Sequence, residues 1–126
     1  MTEFTVHLAN RPGMLAALTE RIAQAGVHIE ALAAFGLDEI GVVHIVVSDP
    51  STARGVLTRA GMAFEERDVL TTILEPGPAA VAKMAHGLAE AGVNIEAMYL
   101  LRTNGDFSEF AIAVDKPTVA QPRLAS

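Results

Sequence analysis

The chain has 126 residues, 51% of them hydrophobic, and a formal net charge of −6. This acidic balance offers no basic surface for phosphates, and the absence of cysteine excludes disulfides, thiolate metal sites and cysteine nucleophiles, so we expect no nucleic-acid binding and no thiol chemistry. No apolar run reaches the roughly 18 residues of a membrane span, and no basic, apolar leader opens the chain, so we expect a cytoplasmic protein without membrane contact.

The first predicted elements are a strand and an amphipathic helix. Residues 4–9 are β-branched or alternate in polarity, which predicts a strand. Pro12 stands where a proline is tolerated in the first turn of a helix, and Gly26 stands where a helix stops. The apolar stripe between them, at helical spacing, consists of Leu15, Leu18, Ile22 and Ala25.

Two strands, a second helix and a fourth strand follow. Residues 27–35 and 42–47 are predicted strands around a turn at residues 38–41. Asp49 and Pro50 provide a cap and first position for a helix, which Gly61 ends before a strand at residues 62–69. The inward residues of this helix are Ala53, Val56, Leu57 and Ala60. The order βαββαβ is the ferredoxin-like plan.

The chain then repeats itself. The heptamer at residues 25–31 recurs at residues 91–97 with one substitution, an offset of 92 − 26 = 66 between Gly26 and Gly92. The same offset carries Pro12 onto Pro78 and the helix stripe onto equivalent apolar residues. Predicted strands of this second half are residues 70–75, 93–102 and 107–114. We therefore predict two units, residues 1–69 and residues 70–126.

The second unit ends early. Only 11 residues follow Asp115, whereas 20 residues complete the first unit after Asp49. Pro117 and Pro122 restrict a helix in this tail, so we predict a short or irregular tail and no fourth strand. One sheet edge would then need cover from the other half or from another subunit, because open edges invite pairing.

These patterns predict an α+β fold. It consists of two ferredoxin-like βαββαβ units in tandem, each with an antiparallel sheet and helices on one face, the second truncated at its C-terminal end. With a mean hydropathy of +0.35, the chain has more apolar residues than two small separate cores can bury. We therefore expect a homodimer or a higher homo-oligomer. Pairing of the halves within one chain and pairing between chains both stay open.

One segment carries a family resemblance. The sequence Asn10-Arg11-Pro12-Gly13-Met14-Leu15, followed by Gly26-Val27-His28-Ile29, resembles the signature of ACT domains. The second copy keeps Gly92-Val93-Asn94-Ile95 but has Glu75-Pro76-Gly77-Pro78-Ala79 in place of the first motif. The resemblance covers nearly the whole chain. It implies a stand-alone tandem ACT protein, from a regulatory family that senses amino acids allosterically at an interface between paired domains.

The resemblance also implies a site. In serine-sensing members an Asn before Arg-Pro-Gly and an Asn at the start of the second strand contact the ligand, and these positions are Asn10 and His28 here. Leu8 stands where those members have a histidine, which would favour a more apolar amino acid. Asn10 offers a donor and an acceptor to a zwitterion, and helix N–H groups beside Gly13 suit a carboxylate. The candidate ligand-binding residues are Asn10, Arg11, Pro12, Gly13, Met14, Leu15, His28 and Asn94.

Each of these polar residues also has a structural alternative. Asn10 could form an Asx-turn that bonds a backbone N–H, and His28 and Asn94 could satisfy backbone groups where a strand begins. The second copy, with Pro76 at the position of Asn10, either keeps a site through Asn94 or is a structural copy.

Nothing in the sequence indicates catalysis. The four histidines lack metal-ligand spacing, no serine lies in a Gly-x-Ser-x-Gly elbow, and no glycine-rich phosphate loop is present, so we expect no enzyme activity, no metal and no cofactor. The expected partners are a free amino acid, a second copy and a metabolic enzyme. The competing hypothesis is a ligand-free interaction module that regulates an enzyme of amino-acid metabolism.

Overall fold

The computed structural model describes residues 1–125. Ser126, the last residue of the predicted second unit, lies outside the described residues. The chain forms two compact units: one is Thr2–Arg67, and the other begins at Asp68 and includes Met1.

The first unit has the predicted βαββαβ order. Its sheet has the strand order β2-β3-β1-β4, and β3 is antiparallel to both β1 and β2. The elements are β1 Thr2–Ala9, α1 Met14–Gln24, β2 Ile29–Leu37, β3 Ile40–Val47, α2 Pro50–Arg59 and β4 Ala63–Asp68. The predicted turn at residues 38–41 is shorter than expected, since residues 40 and 41 already belong to β3.

The core of this unit lies between its sheet and its helices. Leu18 and Ile22 of α1 are fully buried and belong to one apolar cluster with Phe4, Ile45 and Leu57. The side chain of Asp49 accepts a hydrogen bond from the Thr52 N–H at 3.1 Å, which caps α2 as its sequence predicts.

The second unit lacks a fourth strand in the part of the chain that the structure describes. Its sheet has the order β5-β7-β6, with β7 antiparallel to both neighbours. The elements are β5 Leu70–Leu74, α3 Ala80–Glu90, β6 Ile95–Asn104, β7 Phe107–Val114 and α4 Pro117–Ala120, followed by a 3₁₀ turn at Gln121–Arg123. The predicted α+β fold of two ferredoxin-like units is confirmed, and the described residues of the second unit contain three strands.

Two prolines act differently from the prediction, and a third opens the short helix of the tail. Pro12 and Pro78 precede their helices, which begin at Met14 and Ala80, so neither is a first-turn residue. Pro117 opens α4, because the first helical position needs no N–H donor within the helix. None of the helices in residues 1–125 has the length and apolar character to cross a membrane.

Candidate functional site

The candidate site lies where β1 leads into α1: four of the eight candidate residues, Asn10 to Gly13, form the connecting loop, and Met14 and Leu15 begin α1. Gly13 is the N-cap of α1 with φ 89°, in the left-handed region that glycine adopts without strain. No side chain caps α1, and its first turn holds no acidic residue. The N–H groups of Leu15 and Ala16 therefore stay available to an anion at the positive end of the helix.

Asn10 connects this loop to the turn between β2 and β3. Its backbone N–H donates to the Glu39 carbonyl at 2.9 Å, and its Nδ2 donates to the Asp38 carbonyl at 2.9 Å. The side chain lies against Gly36 of β2, where an added Cβ would stand 2.7 Å from both amide atoms of Asn10. The side chain thus bonds a carbonyl, whereas an Asx-turn would bond an N–H. Its Oδ1 has no donor among residues 1–125 and can accept from a ligand.

A depression of about 150 Å³ lies between the loop and the sheet. This volume is below the roughly 300–1,000 Å³ of sites for drug-sized molecules, so it suits a small ligand. The loop contributes Asn10, Arg11, Met14 and Leu15, and the sheet contributes mainly the apolar residues Leu8, Ala34, Phe35 and Val43. Arg11 is exposed, and its guanidinium forms no ion pair with the described residues.

His28 lies at the opposite end of the same sheet. Ile29, which follows it, pairs with Val47, whereas Gly36, which contacts Asn10, pairs with Gly41 at the other end of β3. The seven residue steps from Ile29 to Gly36 span about 23 Å at the rise of a strand. The structure therefore does not bring His28 and Asn10 of one unit together.

The backbone around His28 is tied to the end of β3. The His28 N–H donates to Ser48 Oγ at 3.0 Å, and the Ser48 N–H donates to the His28 carbonyl at 2.9 Å. His28 itself is exposed. Its imidazole is thus accessible, while its backbone groups are satisfied.

Asn94 repeats this arrangement in the second unit. Its N–H donates to Asp115 Oδ1 at 2.8 Å, and the Asp115 N–H donates to the Asn94 carbonyl at 3.2 Å. The β5–α3 loop of this unit offers no amide side chain at the place of Asn10, because Pro76 stands there. Both helices start without a side-chain cap, and of the two loops only the one in the first unit adds an amide and a guanidinium.

A larger cavity, of about 430 Å³, lies in the second unit and holds none of the candidate residues. Its charged side chains neutralise each other, since Arg102 donates to Glu109. Among residues 1–125 no group of three or more histidine, aspartate or glutamate side chains could hold a metal ion.

The carboxyl groups with a shifted pKa, Asp49 and Glu66, lie outside the candidate loop, and each takes part in a structural contact. The Thr52 hydroxyl and N–H lower the pKa of Asp49 at the start of α2. The Arg54 guanidinium, which bonds Glu66 through two contacts of 2.6 Å, lowers the pKa of that carboxyl. These shifts therefore give no indication of acid–base chemistry.

The sequence did not predict that residues of the β2–β3 hairpin form one wall of the depression. Phe35 and Gly36 line it, about 25 residues away from Asn10 along the chain, and the Asp38 carbonyl accepts the hydrogen bond that orients Asn10. The available signal was the pair of hydrophobic residues Leu37 and Ile40 at a hairpin, which are 76% and 58% exposed. Such exposure at a turn indicates a contact surface.

Comparison with known proteins gives one family. The sequence model of the family described as "ACT domain pair" matches residues 1–117. A structure of a Bacteroides thetaiotaomicron protein aligns with a TM-score of 0.87 and 26% identity, over 97% of this chain and 84% of its own. No curated protein sequence matches.

Two further structures share the fold at lower identity. The regulatory subunit of aspartate kinase from Thermus thermophilus, in a ligand-free form, aligns with a TM-score of 0.67 and 18% identity, over 97% of this chain and 89% of its own. The corresponding subunit from Thermus flavus aligns with a TM-score of 0.66 and 20% identity, over 97% and 88% of the two chains. At this level of identity, the two comparisons show that the fold is shared.

Proposed function

This chain belongs to the ACT domain family, as a pair of such domains over residues 1–117, and from that membership we propose that it is a non-catalytic regulatory protein that binds a free amino acid. The observation that carries the proposal is the β1–α1 loop of the first unit. There the acceptor Oδ1 of Asn10, the exposed Arg11 and the uncapped start of α1 surround a depression of about 150 Å³.

These groups match the two charges of an amino acid. The carboxylate would accept hydrogen bonds from the N–H groups of Leu15 and Ala16, with Arg11 adding a second positive charge. The ammonium would donate to Asn10 Oδ1, whose amide is oriented by its bond to Asp38. The half-buried Leu8 and the buried Val43 give the ligand side chain an apolar surface, so a small apolar amino acid such as valine fits best.

The edge of the first sheet supports a site shared between two copies. β2 is an edge strand, and its exposed residues include Leu32, Phe35 and Leu37. Exposed apolar side chains on an edge strand favour association with a second copy. A two-fold axis at Leu32 would set two β2 strands antiparallel and place position 36 of one copy beside position 28 of the other, because 36 + 28 is twice 32.

This pairing would bring together two residues that one unit keeps apart. Asn10 contacts Gly36, so the loop of one copy would face His28 of the second copy. We propose that the amino acid is bound there and that its binding changes the assembly of the protein or the activity of a partner enzyme. Asn94 holds the equivalent position in the second unit and is proposed to act in the same way toward another chain.

A thermal-shift screen with the twenty amino acids at millimolar concentration tests the amino-acid proposal. A ligand at a hundredfold excess over its Kd stabilises the native state by about 2.7 kcal/mol, which is a measurable shift in Tm. We expect small apolar amino acids to raise the Tm, and Asn10→Ala to remove the shift. Asn104→Ala, which removes an exposed amide at the end of β6, should keep it.

The second candidate function is a ligand-free module that docks on an enzyme of amino-acid metabolism. The 62% exposure of Phe35 beside Leu37 is the observation in its favour. It would be preferred if none of the twenty amino acids changed the Tm while Phe35→Ser abolished binding to an enzyme copurified with the protein.

A further inference from the structure

Among the described residues, the second sheet leaves open an edge whose counterpart in the first sheet is paired with a strand. In the first unit β4 lies beside β1, at the end of the order β2-β3-β1-β4. In the second unit the equivalent strand, β5, is the outermost strand of the order β5-β7-β6. The internal repeat thus shows what kind of element fits beside β5, namely a further strand.

The backbone at Ala125 already contacts β5 at this edge. The Ile73 N–H donates to the Ala125 carbonyl at 3.0 Å, and Thr72 Oγ1 donates to the same oxygen at 3.2 Å. The Ile73 N–H therefore points away from β7, and the two-residue period of a strand directs the Thr71 N–H the same way. Residues 70–74, Leu-Thr-Thr-Ile-Leu, carry no charge and no proline, the usual protections of an edge strand.

A groove of about 360 Å³ accompanies this edge, between β5, α3 and the C-terminal turn. Its apolar lining includes Leu74, Ala80 and Met84, and its charged lining consists of Lys83, Arg123 and Glu75. Neither Lys83 nor Arg123 forms an ion pair with the described residues. In a chain of net charge −6, this groove presents two unpaired cations.

We propose that an extended, acidic segment of another protein adds to β5 as a fourth strand. Its main chain pairs with the outward groups of Thr71 and Ile73 and displaces the Ala125 carbonyl from this edge. A carboxylate of the segment pairs with Lys83 and Arg123, and an apolar side chain packs on Leu74 and Met84. Addition of a strand to an open edge is a common mode of peptide recognition. This interaction is independent of amino-acid binding at the β1–α1 loop.

The probe is a fluorescently labelled peptide with the sequence of residues 62–69. It contains β4, the strand that lies beside β1, and it has acidic residues at positions 65, 66 and 68. We expect saturable binding to the full chain in fluorescence anisotropy. Thr71→Pro removes the outward N–H without touching the bonds to β7, so it should weaken binding about tenfold or more.

Matched variants separate the main-chain and charge contributions. Thr71→Val keeps the N–H and should bind the peptide normally. Lys83→Glu combined with Arg123→Glu should weaken binding about tenfold. In the unmodified protein, hydrogen exchange of the Thr71 and Ile73 amides should slow when the peptide is present, and this measurement does not depend on the folding of any variant.

Three results would overturn the proposal. The first is absence of peptide binding up to about 1 mM, and the second is binding that Thr71→Pro leaves unchanged while both amides exchange as before. The third is a concentration-dependent dimer that Thr71→Pro abolishes, together with no peptide binding, because the edge would then belong to a second copy.

Discussion

Gly36 shapes the candidate site although it has no side chain. Asn10 lies so close to it that a Cβ would stand 2.7 Å from Oδ1 and Nδ2. This close approach keeps Asn10 Nδ2 within 2.9 Å of the Asp38 carbonyl and leaves Oδ1 as an oriented acceptor. An oriented acceptor is worth more to a ligand than a mobile one, because less side-chain entropy is lost on binding.

Gly36→Ala is therefore expected to weaken amino-acid binding about tenfold, or about 1.4 kcal/mol, because the added methyl group displaces the Asn10 amide. Isothermal titration with L-valine measures the effect. Gly87→Ala is the matched control in α3, outside the candidate site: its Cβ would meet no atom within 4 Å. Equal losses in the two variants, or none in either, would contradict the role of Gly36.

The sequence predicted one side of the candidate site and missed the other. The motif from Asn10 to Leu15 is contiguous, so its resemblance to a family signature was visible in one short segment. Phe35 and Gly36 reach the depression only through the pairing of β2 with β3, and Asp38 acts on the site through the bond from Asn10. No local periodicity encodes that approach, which is why it required a structure.

The helix α1 shows how an apolar stripe divides between core and surface. Of the four predicted stripe residues, Leu18 and Ile22 are fully buried, whereas Leu15 is 41% exposed and Ala25 is the exposed C-cap. Leu15 belongs to the first turn, beside the open depression, and Ala25 lies beyond the last helical residue. The middle of the stripe therefore supplies the packing energy.

Leu18→Ala should lower the free energy of unfolding by about 2–5 kcal/mol, since it leaves a cavity in a closed core. Leu15→Ala, in the same helix, should change it by no more than about 0.5 kcal/mol, as surface substitutions usually do. Urea denaturation followed by circular dichroism measures both. A Leu15→Ala loss as large as that of Leu18→Ala would mean that Leu15 is covered in solution, which would support an interface there.

At the level of helices and strands, periodicity predicted every element from β1 to β7, and the boundaries were less accurate. β2 begins two residues later and ends two residues later than residues 27–35. The residues after Gly26 first close the helix end, with the Val27 N–H bonded to the Ile22 carbonyl. α1 begins after Gly13 because that residue is left-handed, a backbone state that the Pro12 rule does not anticipate.

The repeat predicted two units and the truncation of the second, because both follow from a count of residues. It left open whether a site is completed within a chain or between chains. Asn10 contacts Gly36 at one end of β2, and His28 precedes the other end, about 23 Å away. Asn10 and His28 of one unit therefore cannot contact the same small ligand. If both residues bind the same amino acid, they come from different copies of the first unit.

Complementation between two inactive variants tests that arrangement. A site built from Asn10 of one copy and His28 of another is destroyed by either Asn10→Ala or His28→Ala. A mixed dimer of the two variants would regain one intact site out of two. Random exchange of subunits makes about half of all dimers mixed, so roughly a quarter of the binding capacity of the unmodified protein for L-valine should return. Equilibrium dialysis before and after mixing measures this recovery.

Leu32→Lys added to both variants places like charges at the proposed axis and should abolish the recovery, whereas Val119→Lys, on an exposed residue of α4, should not. If mixing restored nothing while both single variants lost binding, the two copies would not share the site, and the pairing through β2 would have to be abandoned.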